Sequence, residues 1–83
     1  SDTFMSQPIT TPGQLLQIMR ARRQSLRLTQ EDVARKLAIS QHHLSDLENG
    51  RRVLDVDRLL ALLTLLKLEL LVQDKTQPSK AEW

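Results

Sequence analysis

The segment from residue 41 to residue 49 brings many hydrogen-bonding side chains close together. Leu44 and Leu47 have the spacing of one apolar helix edge, and the remaining face is polar: Gln41, His42, His43, Ser45, Asp46 and Asn49. Amide and hydroxyl groups on an exposed helix edge suit the base edges of the DNA major groove. We predict that Gln41 makes a two-bond contact with adenine and that the same edge supplies Ser40, His42 and Ser45. An ordinary exposed glutamine is the alternative for Gln41.

Catalysis and metal binding are not expected from the same residues. Adjacent helical residues point about 100° apart, so His42 and His43 cannot both face one ion. The chain has no cysteine and two glycines, which excludes thiolate metal sites and a glycine-rich phosphate loop. No nucleophile has a base placed beside it. We therefore expect no catalytic residue, no metal and no cofactor.

Basic residues are concentrated in one stretch, although the formal net charge is only +2. Over residues 20–36 the acids Glu31 and Asp32 are outnumbered by Arg20, Arg22, Arg23, Arg27, Arg35 and Lys36. Such a local surface is an electrostatic footprint for phosphate, and a solvated helix face is the alternative. A helix start also offers free N–H groups, so the predicted phosphate contacts are Gln30, Arg35, Lys36, Asn49, Arg51 and Arg52. Arg35 and Lys36 could instead be merely solvated.

Good helix caps precede every apolar stretch that has helical spacing. The caps are Thr11, Thr29, Ser40 and Asp55, and Gln14 can complete a capping box with Thr11. Apolar pairs around the last three caps have the spacing of hydrophobic staples: Leu28 with Val33, Ile39 with Leu44, and Leu54 with Leu59. These signals predict helices over residues 12–26, 30–37, 41–49 and 56–67, with Gly50 ending the third.

The second and third helices meet the demands of a helix-turn-helix, because Ala34 is small where the two helices approach. We expect an all-α fold of four short helices over residues 11–67, plus one short C-terminal β-strand. A flexible arm is predicted for residues 1–10. The apolar stretch over residues 59–72 is interrupted by Lys67 and Glu69 and is shorter than the roughly 20 residues of a membrane span. No signal peptide is recognised, so we expect a cytoplasmic protein that does not bind membranes.

The strand is predicted over residues 68–74, because Leu68, Leu70 and Val72 alternate with other residues and share one face. Nothing else in the chain looks like a strand, so its simplest partner is the same strand of a second subunit. Continuation of the helix through Val72 is the alternative. Residues 75–83 are expected to form a flexible tail. Trp83 at its end suits a partner's pocket or is simply a free end.

Residues 28–34 (Leu-Thr-Gln-Glu-Asp-Val-Ala) and 47–50 (Leu-Glu-Asn-Gly) resemble the Xre family of Cro- and cI-like repressors. This resemblance covers roughly residues 15–66. It implies that Arg23 of the first helix and Glu48 of the recognition helix form a buried ion pair. The family usually has glycine at the turn, where this chain has Ala38. If the turn needs a positive φ, alanine costs about 1 kcal/mol there.

The chain is most similar to HipB-type antitoxins, through the Thr-Pro-x-Gln-Leu start at residues 11–15, Leu-Glu-Leu at residues 68–70 and the final Glu82-Trp83. The resemblance implies a bacterial homodimer joined by C-terminal strands, with a HipA-type serine/threonine kinase toxin as partner and a kinase pocket for Trp83. The expected function is an autorepressor that binds palindromic operators in double-stranded DNA and neutralises the toxin. Two alternatives remain: a stand-alone phage-type repressor, and a protein-interaction module without DNA binding.

Overall fold

The computed structural model describes residues 7–75, which form four α-helices. These are α1 (Pro12–Ser25), α2 (Gln30–Leu37), α3 (Gln41–Glu48) and α4 (Val56–Leu65). The four predicted helices are confirmed, and the ends of α1, α3 and α4 fall one or two residues before the predicted ends. Helix α2 packs against α3 and α4, while α1 packs against α3.

Each helix begins at the predicted cap. The Thr11 hydroxyl accepts a bond from the Gln14 N–H at 3.2 Å, and the Gln14 side chain accepts one from the Thr11 N–H at 3.2 Å. This is the predicted capping box. Thr29 makes a second such box with Asp32. The side chains of Ser40 and Asp55 cap α3 and α4 in the same way.

The core is aliphatic and contains the residues of all three predicted staples. Val33 and Leu44 are fully buried, and Leu28, Ile39, Leu54 and Leu59 pack against the same cluster. The cluster also contains Met19 of α1, Leu62 and Leu63 of α4, and Leu66 just after α4. Ala34 is 2% exposed, as expected for the small residue between two crossing helices. The core therefore fixes which face of α3 remains outside.

The turn between α2 and α3 uses a left-handed residue that is not glycine. Ala38 has φ 59° and ψ 41°, and its N–H bonds the carbonyls of Ala34 and Arg35. The expectation that alanine stands where glycine is preferred is therefore correct. Arg27 and Lys67 also have positive φ, near 60°. The helix-turn-helix geometry is kept despite this backbone strain.

The chain beyond α4 does not continue as a helix, so that alternative is wrong. The Leu66 carbonyl accepts a bond from Arg22 at 2.9 Å, and the Leu68 N–H returns to the Leu63 carbonyl at 2.8 Å. No β-strand occurs among residues 7–75, so the predicted strand and its pairing are not confirmed. A strand that pairs only with a second subunit has no partner within a single chain. None of the helices in this part of the protein has the length and apolarity to span a membrane.

Candidate DNA-binding interface

The exposed polar side of α3 contains the residues predicted to contact bases. Leu44 and Leu47 face the core. On the other side lies the α3 edge, which we define as Ser40, Gln41, His42 and Ser45. The first three of these are exposed and Ser45 is half-buried. The structure thus brings the predicted base contacts together on one edge, while their contacts with DNA stay a prediction.

A buried ion pair ties α1 to the end of α3. The Arg23 Nε lies 2.7 Å from Glu48 Oε2, and its Nη2 donates to Oε1 at 3.2 Å. The two side chains are only 11% and 7% exposed. The third Arg23 nitrogen donates to the Leu28 carbonyl at 2.9 Å. A two-bond guanidinium–carboxylate contact is strong and directional, so it holds α3 at a defined angle to α1.

Two glutamines extend this pair to the surface. The Gln30 Nε2 donates to Glu48 Oε1 at 3.0 Å, and the Gln41 Nε2 donates to Gln30 Oε1 at 3.4 Å. The ionised carboxylate only accepts, so Gln30 must turn its NH₂ towards Glu48 and its oxygen towards Gln41. Gln41 then keeps its own oxygen and one N–H for a ligand. An acceptor beside a donor is what the major-groove edge of adenine requires.

Arg20 has a positioning contact that sequence reasoning did not assign. Its Nη2 donates to the Glu48 carbonyl at 3.2 Å and to Asn49 Oδ1 at 2.8 Å. The Asn49 Nδ2 donates to the Ser45 carbonyl at 2.8 Å. Asn49, predicted as a phosphate contact, is therefore held between α1 and α3. Arg20 is separated from these partners by 28 and 29 positions, and its only sequence signal was membership of the basic stretch.

Asp46 lies between the side chains of Arg51 and His42. Its carboxylate oxygens are each 3.6 Å from a partner, Arg51 on one side and His42 on the other. The Asp46 side chain is 16% exposed. The distance to Arg51 is that of an ion pair. The acidic group is thus screened on a surface that would otherwise repel phosphate.

Three further predicted phosphate contacts have side chains open to solvent. Arg35, Lys36 and Arg52 are exposed. Arg35 is 3.8 Å from Asp32, and the bonds from Thr29 lower the pKa of that carboxyl below its usual value. At an exposed site such a pair is weak, so Arg35 can exchange Asp32 for another anion.

His43 differs from its neighbour His42. Partial burial lowers the pKa of His43 below its ordinary value, and the nearby guanidinium groups of Arg52 and Arg58 lower it further. His43 thus favours the neutral form, whereas sequence reasoning gave it no role. In the stretch from residue 7 to residue 75 no group of three or more His, Cys, Asp or Glu could hold a metal ion.

The predicted dimer residues divide between core and solvent. Leu68 packs against the core cluster, while Leu70 and Val72 are 54% and 92% exposed. Leu71, between them, is 68% exposed. Trp83, the predicted toxin contact, lies outside the described residues, as do residues 1–6 of the predicted arm and residues 76–83 of the predicted tail.

Comparison with known proteins agrees with this geometry. Three solved structures share the fold with a TM-score of 0.76 each. One is a complex of a HipB variant with an O2 20mer (29% identity, 87% of this chain and 100% of that chain). Another is described as the HipA-HipB-O2-O3 complex, and a third as MDT Protein (each 30% identity, 86% of this chain and 100% of that chain).

Comparison with protein families supports the helix-turn-helix fold. No curated protein matches the chain significantly. The family described as "Helix-turn-helix domain" matches residues 13–73, which is most of the chain. Together with the HipB-like neighbours, this match shows that the chain belongs to the helix-turn-helix domain family of DNA-binding proteins.

Proposed function

We propose that this protein is a homodimeric transcriptional repressor that binds palindromic operator DNA through α3 and also neutralises a HipA-like serine/threonine kinase toxin in the bacterial cytoplasm. The observation that carries the DNA-binding part is the orientation of Gln41. Hydrogen bonds of 3.0 and 3.4 Å connect its amide, through Gln30, to the buried Glu48. A preorganised amide loses little side-chain entropy when it contacts a base.

The proposed contacts follow from what surrounds each side chain. Bases are contacted by the α3 edge, led by Gln41. Phosphates are contacted by Gln30, Arg35, Lys36, Asn49, Arg51 and Arg52. Gln30 uses its backbone N–H at the start of α2, where a helix favours anions, because its side-chain NH₂ already bonds Glu48. No residue is proposed to be catalytic.

The DNA part is tested by selecting sites from a random double-stranded library with the full chain. Fluorescence anisotropy then compares the selected site with a scrambled site over a salt series. We expect a sequence preference that persists while affinity falls with salt. Gln41→Ala should lose about 1–3 kcal/mol of discrimination. Gln17→Ala makes the same chemical change at an exposed α1 position and should leave the preference intact.

Failure to prefer any sequence would support the protein-interaction alternative instead. Two features favour that alternative: an acidic residue, Asp46, in the third helix, and a net charge of only +2. Pairing of Asp46 with His42 and Arg51 at 3.6 Å weakens its first argument.

The dimer is supported by the apolar side chains that remain exposed beyond α4. Leu70, Leu71 and Val72 form a run that a single chain leaves in water, and such runs mark interaction surfaces. Pairing of residues 68–74 with the same segment of a second copy would cover them and satisfy their backbone groups. Two α3 helices would then read half-sites about one DNA turn (~34 Å) apart, or a multiple of it. Sedimentation equilibrium should give a dimer mass.

The toxin partner is supported by similarity to the chain described within a HipA-HipB-O2-O3 complex. Trp83 is the proposed anchor. Titration calorimetry with a HipA-like kinase should show that Trp83→Ala weakens kinase binding by about 2 kcal/mol or more, as for other buried tryptophan anchors. DNA affinity of the same variant should not change. Absence of kinase binding by the unmodified chain would favour the stand-alone repressor.

A further inference from the structure

The orientation of the Asn49 amide is determined at both ends. Its oxygen lies 2.8 Å from Arg20 Nη2, and a guanidinium can only donate. Its nitrogen lies 2.8 Å from the Ser45 carbonyl oxygen, which can only accept. Rotation of the amide by 180° would place donor against donor and acceptor against acceptor. Asn49 therefore presents its NH₂ group to Ser45.

This orientation determines what the Ser45 hydroxyl can do. The Asn49 Nδ2 also lies 3.4 Å from Ser45 Oγ. Because that nitrogen donates, the hydroxyl oxygen accepts, and its hydrogen must point elsewhere. A helical serine commonly donates to the carbonyl four residues earlier, but no such bond from Ser45 is present within residues 7–75. The hydroxyl hydrogen thus lacks an acceptor on the half-buried side of the α3 edge.

We propose, on the basis of the DNA-reading function above, that Asn49 is a positioning residue that makes Ser45 a hydrogen-bond donor to a base. Guanine, adenine and thymine each present an acceptor in the major groove, whereas cytosine presents an amino donor. A donor that faces a donor leaves both groups unpaired, which is costly when they are buried. The base opposite Ser45 is therefore one with an acceptor, and cytosine is disfavoured there.

This positioning role is additional to the phosphate contact proposed above for Asn49, and the two have different consequences. A phosphate contact positions the protein without reading sequence, so its loss weakens binding to all sequences alike and lowers the salt dependence. Loss of a positioning contact instead changes the base preference at one position of the DNA site. The two roles are separable by measuring preference and affinity together.

The test uses the full chain and a random double-stranded DNA library. Sites are selected with the unmodified protein and with Ser45→Ala, Asn49→Ala and the control Gln17→Ala. We expect one position in each half-site to exclude cytosine by at least about five-fold in the unmodified protein and in the control. Ser45→Ala and Asn49→Ala should both reduce that exclusion at the same position and leave the other positions unchanged. Circular dichroism checks that each variant is folded.

A second variant reverses the direction of the hydrogen bond between residue 49 and the Ser45 hydroxyl. In Asn49→Asp the carboxylate can still bond Arg20. The oxygen that replaces Nδ2 cannot bond the Ser45 carbonyl, so it turns away from that carbonyl and accepts from the Ser45 hydroxyl. Ser45 then offers lone pairs to DNA, and we expect cytosine to become favoured at that position. Retained exclusion of cytosine in Asn49→Asp, or equal weakening on all sequences in Asn49→Ala, overturns the inference alone. Failure of the unmodified protein to select any sequence overturns the proposed DNA reading as well.

Discussion

In residues 29–49 every valine, leucine and isoleucine is buried or packs against the core, whereas residues 70–72 expose three apolar side chains in succession. The first region is held within one chain by helix caps, by the buried Arg23–Glu48 ion pair and by the side-chain hydrogen bonds of Gln30 and Gln41. The second has no partner among the described residues for its apolar surface. The comparison teaches that residues 29–49 bury their apolar side chains within one chain, while residues 70–72 leave theirs in solvent.

The largest effect on the free energy of unfolding is expected at the buried Arg23–Glu48 ion pair of the first region. Glu48→Gln removes the negative charge from a side chain that is 7% exposed and leaves Arg23, 11% exposed, without a counter-ion. Breaking a buried pair from one side costs about 3–5 kcal/mol. Urea unfolding measures the loss. The control is Arg35→Ala, which removes an exposed pair at 3.8 Å and should cost less than about 1 kcal/mol. Equal losses of stability in the two variants would contradict a dominant role for the buried Arg23–Glu48 pair.

A smaller effect of opposite sign is expected at the turn. Ala38→Gly removes the strain of a Cβ at φ 59° and should stabilise the fold by about 0.5–1 kcal/mol, after the added flexibility of the unfolded chain is subtracted. Gly50→Ala is the mirror experiment, because Gly50 has φ 75° although its added Cβ would have ordinary room. It should destabilise by about 1 kcal/mol. Thermal melts compare both variants with the parent protein.

A pH effect is expected to be smaller again. The pKa of His43 is lower in the folded protein than its ordinary value of 6.5, chiefly because of burial. The unfolded chain therefore binds more protons just below pH 6.5, and the folded state loses stability as the pH falls through that value. The melting temperature of the parent should therefore fall relative to that of His43→Gln as the pH is lowered. A parent protein with no such decline would show that His43 is hydrated in the folded state.

The smallest effect on the single chain is expected in the second region. Val72 is 92% exposed, so Val72→Asp should change the stability of a dilute monomer by no more than about 0.5 kcal/mol. The parent melting temperature should rise with protein concentration because dimerisation stabilises the fold, and this rise should vanish in the variant. A parent that is monomeric at all concentrations would remove the need for a second copy.

The elements that were predictable from sequence are those determined by near neighbours. Thr11, Thr29, Ser40 and Asp55 cap helices through residues three positions away, so each helix start could be read from local patterns. The contact from Arg20 to Asn49 spans 29 positions, and no local pattern indicates it. The resemblance to repressors supplied Arg23 and Glu48 as a pair. It did not supply the bonds from Gln30 and Gln41.

The C-terminal strand could not be tested from one chain for a physical reason. Strand hydrogen bonds form between neighbouring segments, and the predicted neighbour of residues 68–74 belongs to another molecule. In the single chain, the observation that bears on this prediction is the exposure of the three apolar side chains at residues 70–72.

The bonds that join Glu48 to Gln41 through Gln30 have an evolutionary consequence. Regulators are usually thought to acquire new target sites by substitution of residues that touch DNA. Here the carboxylate of a core residue determines which end of each amide points outward. A substitution at residue 48 that reversed both amides would exchange the donor and the acceptor that Gln41 presents, while Gln30 and Gln41 themselves stayed the same. Lineages of such proteins could therefore diverge in their targets while their recognition residues remain identical.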